Sequence, residues 1–195
     1  MYVAGLSNEE FASTLRRIPY PFGGAAAREK ATTVEIYHTS HGRYETAAPI
    51  DAFLPIDLGG RPSLLAGYGC SPIAAFARAD LADHAHVRGR TVAELGGGNR
   101  PLDMITYRDS TGRQMILIAN SDRTLMRMDP AQIAAAPALT TPVRQTFQPA
   151  GVGYLPIASF GVVQLDNLNA ANVVPLQRDA DDGSLRVASL QTRWL

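Results

Sequence analysis

The sequence predicts an all-β fold of propeller-like blades, each with four antiparallel strands, forming an incomplete or partial propeller. The main observation is an ungapped internal repeat: residues 49–51 (Pro-Ile-Asp) recur as residues 101–103 (Pro-Leu-Asp), at an offset of 52 residues (101 minus 49). Ile73 recurs as Leu125 at the same offset. The second observation is a charged fraction of 18%, against about 25% in an average soluble domain, which suits sheets packed face to face. A repeat of this length with short strands is typical of a propeller blade.

The second copy of the repeat predicts one complete blade. Its strands cover residues 91–95, 102–107, 114–119 and 125–128, and polar or glycine-rich turns separate them. The third strand is an almost continuous apolar run, which is typical of a strand buried on both faces. Four short strands within one period of about 50 residues form the unit of a propeller.

The first copy predicts the same plan, with an incomplete blade before it. Its strands cover residues 52–54, 64–68 and 73–76, with residues 34–37 as the outer strand of the preceding blade. Two earlier segments, 2–5 and 11–15, predict strands of a blade whose first strand is missing. An open blade edge can pair with another chain, so we expect self-association through this edge.

The C-terminal part predicts less regular structure. A helical turn is indicated at 131–136, and strands are indicated at 161–165, 173–177 and 185–190. Pro175 predicts that the second of these strands lies at a sheet edge. We therefore divide the chain into propeller blades over 1–133, the first truncated at its N-terminal side, and a β-rich segment over 134–195 that is either a degenerate blade or a cap.

Composition restricts the class of partner. The formal net charge is +0 with no long run of one sign, so attraction of nucleic acid is not indicated. No apolar run approaches the roughly 18 residues of a membrane span. Cys70 is the only cysteine, so an intrachain disulfide is excluded. We expect a protein or a small molecule as partner, with no nucleic acid and no transmembrane segment.

Three segments, 89–95, 100–103 and 117–120, resemble the NHL and YVTN-type propeller repeats of bacterial proteins. Those repeats have an outer strand, a glycine, a proline, an apolar strand and then a strand of the form V-A-N/D. The resemblance is good over 89–133, fair over 34–81 and partial over 1–15.

This resemblance implies a fold more firmly than a function. Families with such repeats include ligand-binding, protein-docking, lactone-cleaving and quinone-linked redox proteins, so enzymatic activity stays open. The resemblance also implies a periplasmic or secreted location if the chain is a fragment of a longer exported protein. If Met1 is the true start, the lack of a signal-peptide pattern predicts a cytoplasmic protein instead.

Blade geometry predicts one face as the binding surface. Because successive strands reverse direction, the connection from an outer strand to the next inner strand emerges beside the turn between the second and third strands. Loops at such a face often carry ligand sites. We therefore predict a non-enzymatic module that binds a ligand or protein through side chains of these loops: Arg43, Asn99, Arg100, Asp122 and Arg123.

The alternative function is that of a metal-dependent or redox propeller enzyme of which this chain is a fragment. His38, His41 and Glu45 offer two imidazoles and a carboxylate, which suit zinc, copper or iron. Residues three apart on a strand point to opposite faces, so both histidines reach one metal only from a turn, as Gly42 allows. The competing interpretation is that both histidines hydrogen-bond loop backbone, and no catalytic residue is assigned.

Asp51 and Asp103 occupy the same position in the two copies, at the head of an inner strand. Repeated carboxylates there could hold a cation in a central channel. We favour a structural role, in which the carboxylate accepts backbone N–H bonds and joins neighbouring blades. Binding sites are usually asymmetric, whereas scaffolding repeats.

Overall fold

The computed structural model describes residues 1–22, 31–70, 72–145 and 147–195, and this part of the chain is all-β, as predicted. Its strands, in chain order, are β1 (Tyr2–Leu6), β2 (Ser13–Arg17), β3 (Thr32–His38), β4 (Arg43–Glu45), β5 (Ile50–Asp57), β6 (Pro62–Tyr68), β7 (Pro72–Ala77), β8 (His86–Arg88), β9 (Arg90–Glu94), β10 (Pro101–Arg108), β11 (Gln114–Asn120), β12 (Leu125–Met128), β13 (Ala150–Gly151), β14 (Leu155–Ile157), β15 (Val162–Asn169), β16 (Asn172–Arg178), β17 (Leu185–Val187) and β18 (Leu190–Gln191). Helix α1 (Pro130–Ala135) follows β12, and short 3₁₀ helices cover Arg78–Asp80 and Thr192–Trp194. None of the helices in these residues is long and apolar enough to cross a membrane.

The described strands form four sheets, which we number in chain order, and the second and third correspond to the two copies of the repeat. The second sheet has the strand order β13-β9-β7-β6-β5, and the third has the order β10-β11-β12-β14. Neighbouring strands in both sheets are antiparallel. Every residue of β11 after Gln114 is buried, which confirms the prediction of a strand covered on both faces. The two sheets have the form of propeller-like blades, but the predicted grouping of residues 91–128 into one blade is wrong. The strand predicted at 91–95 is β9, which pairs with β7 in the second sheet, and the third sheet takes its fourth strand from β14 instead.

Consecutive sheets pack on one another through three hydrophobic cores. One core joins the first sheet to the second, one joins the second to the third, and one joins the third to the fourth. The inner strand β10 lies between β5 and β15. Gly67 permits this packing, since a Cβ atom there would lie 2.9 Å from the ring of Pro101. Within the described residues none of the three cores joins the first sheet to the fourth, so the series of sheets is open.

The first sheet differs from the predicted blade. It has the order β1-β2-β3-β4, and β8 pairs with β3 in parallel. The prediction that residues 34–37 form an outer strand is therefore wrong, because β8 lies beyond them and Arg88 Nε donates to Glu35 Oε1 at 2.7 Å. β1 and β2 are strands as predicted, and β1 lies at the edge with Val3 and Leu6 exposed. Self-association through this edge stays a prediction.

The fourth sheet corrects the prediction for Pro175. β16 is central, because β15 pairs along one edge while β17 and β18 both pair along the other. β18 pairs with residues 172–173 and β17 with residues 176–178, so Pro175 faces the gap between them. A backbone N–H is not needed there, and the Pro175 carbonyl accepts a hydrogen bond from Ala188 at 3.0 Å. The predicted strand at 185–190 is split by the same gap.

The chain between β12 and β15 covers the outer edges of two sheets. Asp129 caps α1 by accepting a hydrogen bond from the backbone of Ala131 (2.8 Å), and Pro130 occupies the first turn. The predicted helical turn is thus confirmed. The return segment (residues 136–145 and 147–151) then leads back to the second sheet, where β13 pairs with β9. β14 follows it and pairs with β12 in the third sheet.

Candidate functional site

The hairpin of β3 and β4 brings together the side chains predicted to bind a metal. β3 ends at His38, and the backbone N–H groups of His41 and Gly42 both donate to the His38 carbonyl, at 3.2 and 2.8 Å. Gly42 has a φ of 67°, a conformation that glycine adopts without steric cost. β4 then returns antiparallel to β3, with Glu45 opposite Ile36. The turn that both histidines require is therefore present.

The three side chains form a compact group, the His/Glu cluster (His38, His41 and Glu45). Nδ1 of His38 lies 2.9 Å from Glu45 Oε2, and Nδ1 of His41 lies 2.6 Å from Glu45 Oε1. The two imidazole rings are in contact, with centroids 3.8 Å apart and ring planes tilted by 40°. One ligand atom from each residue lies within 4.8 Å of the other two. Both histidines thus contact the same carboxylate rather than loop backbone.

Burial differs across the cluster. The side chain of His38 is 2% exposed, that of Glu45 is 16% exposed, and that of His41 is 43% exposed. Arg43 lies at the outer rim, with Nε 3.6 Å from Glu45 Oε1. The cluster is therefore anchored at His38 and open to solvent at His41.

Glu45 is held in its ionised form. Burial raises the pKa of the Glu45 carboxyl, but the hydrogen bonds and positive charge of His38 and His41 outweigh burial. The net pKa lies below its ordinary value of 4.5. Because metal ligands must be deprotonated, this carboxylate is in its ligating state at neutral pH.

A second carboxylate lies beneath His38. Among the described residues, Nε2 of His38 is buried and has no hydrogen-bond partner, and it lies 3.9 Å from Oε2 of Glu94. Glu94 is fully buried and accepts a hydrogen bond from the hydroxyl of Thr39 at 2.7 Å. Our sequence analysis missed both Glu94 and Thr39. The signal for Glu94 was a charged residue inside the apolar run of β9.

The loop residues of the predicted binding face lie mostly at a separate place, between β10 and the turn after β11. Arg100 forms a bidentate ion pair with Asp51, with Nη2 2.6 Å from Oδ1 and Nε 3.1 Å from Oδ2. The buried side chain of Asn99 donates to Asn120 Oδ1 at 2.8 Å. It also accepts from the backbone N–H of Asp122 at 3.3 Å.

Arg123 belongs to the same group, since its Nη2 donates to the carbonyl of Gly97 at 3.3 Å. Four of the five residues predicted for the binding face therefore lie close together: Asn99, Arg100, Asp122 and Arg123. The fifth, Arg43, lies with the His/Glu cluster. Each of the four makes hydrogen bonds that connect neighbouring loops. Their polar groups are engaged within the chain itself.

Comparison with known proteins adds no identification. No family model, curated protein or solved structure matches this chain. Membership of the NHL or YVTN-type repeat families therefore stays a prediction, and function has to be argued from the His/Glu cluster itself.

Proposed function

We propose that this protein binds a divalent transition-metal ion at the His/Glu cluster. The observation that carries the proposal is that two imidazole nitrogens and one carboxylate oxygen lie within 4.8 Å of one another. Two histidines and a glutamate are a ligand set that holds zinc and leaves a fourth position open. Copper and iron also accept imidazole and carboxylate ligands, so the ligand set leaves all three metals as candidates.

The contacts around His38 support ligation through Nδ1. When Nδ1 binds a metal, the ring proton resides on Nε2. That atom faces Glu94, 3.9 Å away, and histidine ligands commonly donate their second N–H to a carboxylate. With a metal on Nδ1, the buried Nε2 therefore carries the proton, and the Glu94 carboxylate is its nearby acceptor. Glu94 would fix the orientation of the His38 ring.

The exposure of His41 supports access from solvent. An ion bound to His38, His41 and Glu45 has its remaining coordination position on the open side, next to Arg43. A small anionic ligand or an acidic group of a partner protein could occupy that position. The predicted binding module and the predicted metal site are compatible in this form. No reaction is assigned to the cluster.

Calorimetric titration of chelator-treated, tag-free protein with Zn²⁺, Co²⁺ and Cu²⁺ tests the proposal. We expect one equivalent to bind and the visible spectrum of the Co²⁺ form to report a low-symmetry site. His41→Ala and Glu45→Gln should each weaken binding by roughly tenfold or more, as expected when one of three ligands is lost. Bound metal should also raise the melting temperature.

His84→Ala is the matched control, because His84 is an exposed histidine outside the cluster. We expect this variant to bind metal like the unmodified protein. Binding of less than one equivalent of metal would contradict the proposal. An affinity that falls equally in His84→Ala and His41→Ala would also contradict it.

A further inference from the structure

We propose that a second site, the arginine pocket (Arg17, Arg61 and Arg78 around Pro62, Ala77 and Leu81), binds a small organic anion. This pocket has a volume of about 570 Å³, within the range of roughly 300–1,000 Å³ that small-molecule sites occupy. The inference does not depend on metal binding at the His/Glu cluster.

The pocket lies at the other end of the strands from the His/Glu cluster. Arg61 precedes β6 and Arg78 follows β7, so both lie where these antiparallel strands meet the β5–β6 turn. β3 begins at this end, since the hydroxyl of Thr32 donates to the carbonyl of Ala82 at 2.8 Å. β3 then runs away from the pocket to its last residue, His38. The two sites are therefore separate.

The pocket has positive charge without a counter-ion. No aspartate or glutamate lines it. In the part of the chain that the structure describes, none of the guanidinium groups of Arg17, Arg61 and Arg78 has an ion-pair partner. Other arginines are compensated: Arg88 pairs with Glu35, and Arg100 pairs with Asp51. Three uncompensated charges around one concavity favour an anion there.

Arg61 is the uncompensated arginine of the adjoining surface as well. Arg61 also lines a neighbouring cavity together with Arg88 and Arg90, where Asp80 is the acidic residue. Burial lowers the pKa of Arg90, and the nearby charge of Arg61 lowers it further. Arg90 donates to the carbonyl of Ile133 at 3.0 Å, so its guanidinium is already used within the fold. Arg61 is the free charge shared by both cavities.

The lining also selects the ligand class. Pro62, Ala77 and Leu81 give the pocket an apolar surface between the arginines. An inorganic ion would engage the charges but leave this surface in water. A molecule with an apolar body and a carboxylate, sulfonate or phosphate group satisfies both, since guanidinium groups bind such oxyanions in bidentate fashion and apolar contact removes hydrocarbon from water.

The fluorescent probe 8-anilinonaphthalene-1-sulfonate has this chemistry and tests the inference on the full chain. We expect saturable binding at one site, with competition by decanoate and by phenyl phosphate. Arg61→Ala and Arg78→Ala should each weaken binding roughly tenfold, the effect of one charge-assisted contact, and Arg61→Lys should weaken it less. The neutral probe N-phenyl-1-naphthylamine should bind at least about tenfold more weakly than the sulfonate.

Arg186→Ala is the matched control, because it removes an exposed arginine from the fourth sheet. Its affinity for the sulfonate should stay within about twofold of the unmodified protein. Urea midpoints measured on every variant separate loss of the site from loss of the fold. Binding that is unchanged in the Arg61→Ala/Arg78→Ala double variant, or that is equally tight for the neutral probe, would overturn the inference.

Discussion

The carboxylate of Asp103 joins the third sheet to the fourth by accepting a hydrogen bond from the backbone N–H of Leu165, 2.8 Å away. Its other oxygen accepts from the backbone of Met104, also at 2.8 Å. This agrees with the structural role favoured for the repeated aspartates. The aspartate at the equivalent position, Asp51, instead pairs with Arg100 and so connects the second sheet to the third.

We predict that Asp103→Ala lowers the free energy of unfolding by about 1–3 kcal/mol, because two backbone N–H groups lose their acceptor. Urea unfolding followed by fluorescence measures the change. Asp181→Ala, in an exposed turn, is the control and should change stability by less than about 0.5 kcal/mol. Equal effects of the two substitutions would contradict the assigned role of Asp103.

We predict that Gly67→Ala also destabilises the fold, by about 1–3 kcal/mol, because the added methyl group overpacks the contact between sheets. The new Cβ atom would lie 2.9 Å from Pro101 and 3.3 Å from Ile73. Thermal unfolding measures the effect. Gly153→Ala is the control, since nothing lies within 4 Å of its Cβ position. A melting temperature for Gly67→Ala equal to that of the control would show that the sheets can separate there.

We predict that Thr39→Val destabilises the protein by about 1–3 kcal/mol, although the two side chains have nearly the same shape. The substitution removes the hydroxyl that donates to the buried Glu94 side chain, and taking a donor away from a buried acceptor costs more than the net value of an ordinary hydrogen bond. Urea unfolding measures this loss, with exposed Thr141→Val as the control. An unchanged midpoint for Thr39→Val would mean that Glu94 is satisfied without this bond.

We predict that Asp109 titrates below its ordinary pKa of 3.8. The hydrogen bond from the Thr111 hydroxyl is the largest influence, and burial opposes it. The backbone N–H groups of Thr111 and Arg113 and the charge of Arg113 lower the pKa further, so the net shift is downward. Since the folded pKa is depressed, the stabilising contribution is complete above 3.8 and is lost as the pH falls through the folded pKa.

Carbon-detected NMR of the Asp109 carboxyl carbon measures this titration directly. Thr111→Val should move the pKa upward toward 3.8, because the hydroxyl bond of 2.6 Å to Oδ1 is lost while the backbone bonds remain. A pKa at or above 3.8 in the unmodified protein would refute the prediction.

Local patterns were sufficient to predict most strands, and non-local pairing explains the failures. The apolar run of β11 and the turns around it are signals within a few residues. β8 has three residues in a polar loop, and only its contact with β3 makes it a strand. The position of Pro175 likewise depends on where β17 and β18 pair, which the residues around the proline do not encode.

The candidate site divides in the same way. The spacing of His38, His41 and Glu45 is local, so their grouping could be predicted. Glu94 reaches His38 only through the packing of β9 beside β3. The engagement of Arg100 by Asp51 could not be foreseen either, because ion-pair geometry across two sheets is set by tertiary packing.

The two short strands of the connection between β12 and β15 have a consequence for cleavage. β13 and β14 occupy backbone groups of β9 and β12 that would otherwise be available to a foreign chain. Loss of β13 from β9, for example after a protease cut beside it in the return segment, would therefore uncover an edge of the second sheet that can pair with another chain.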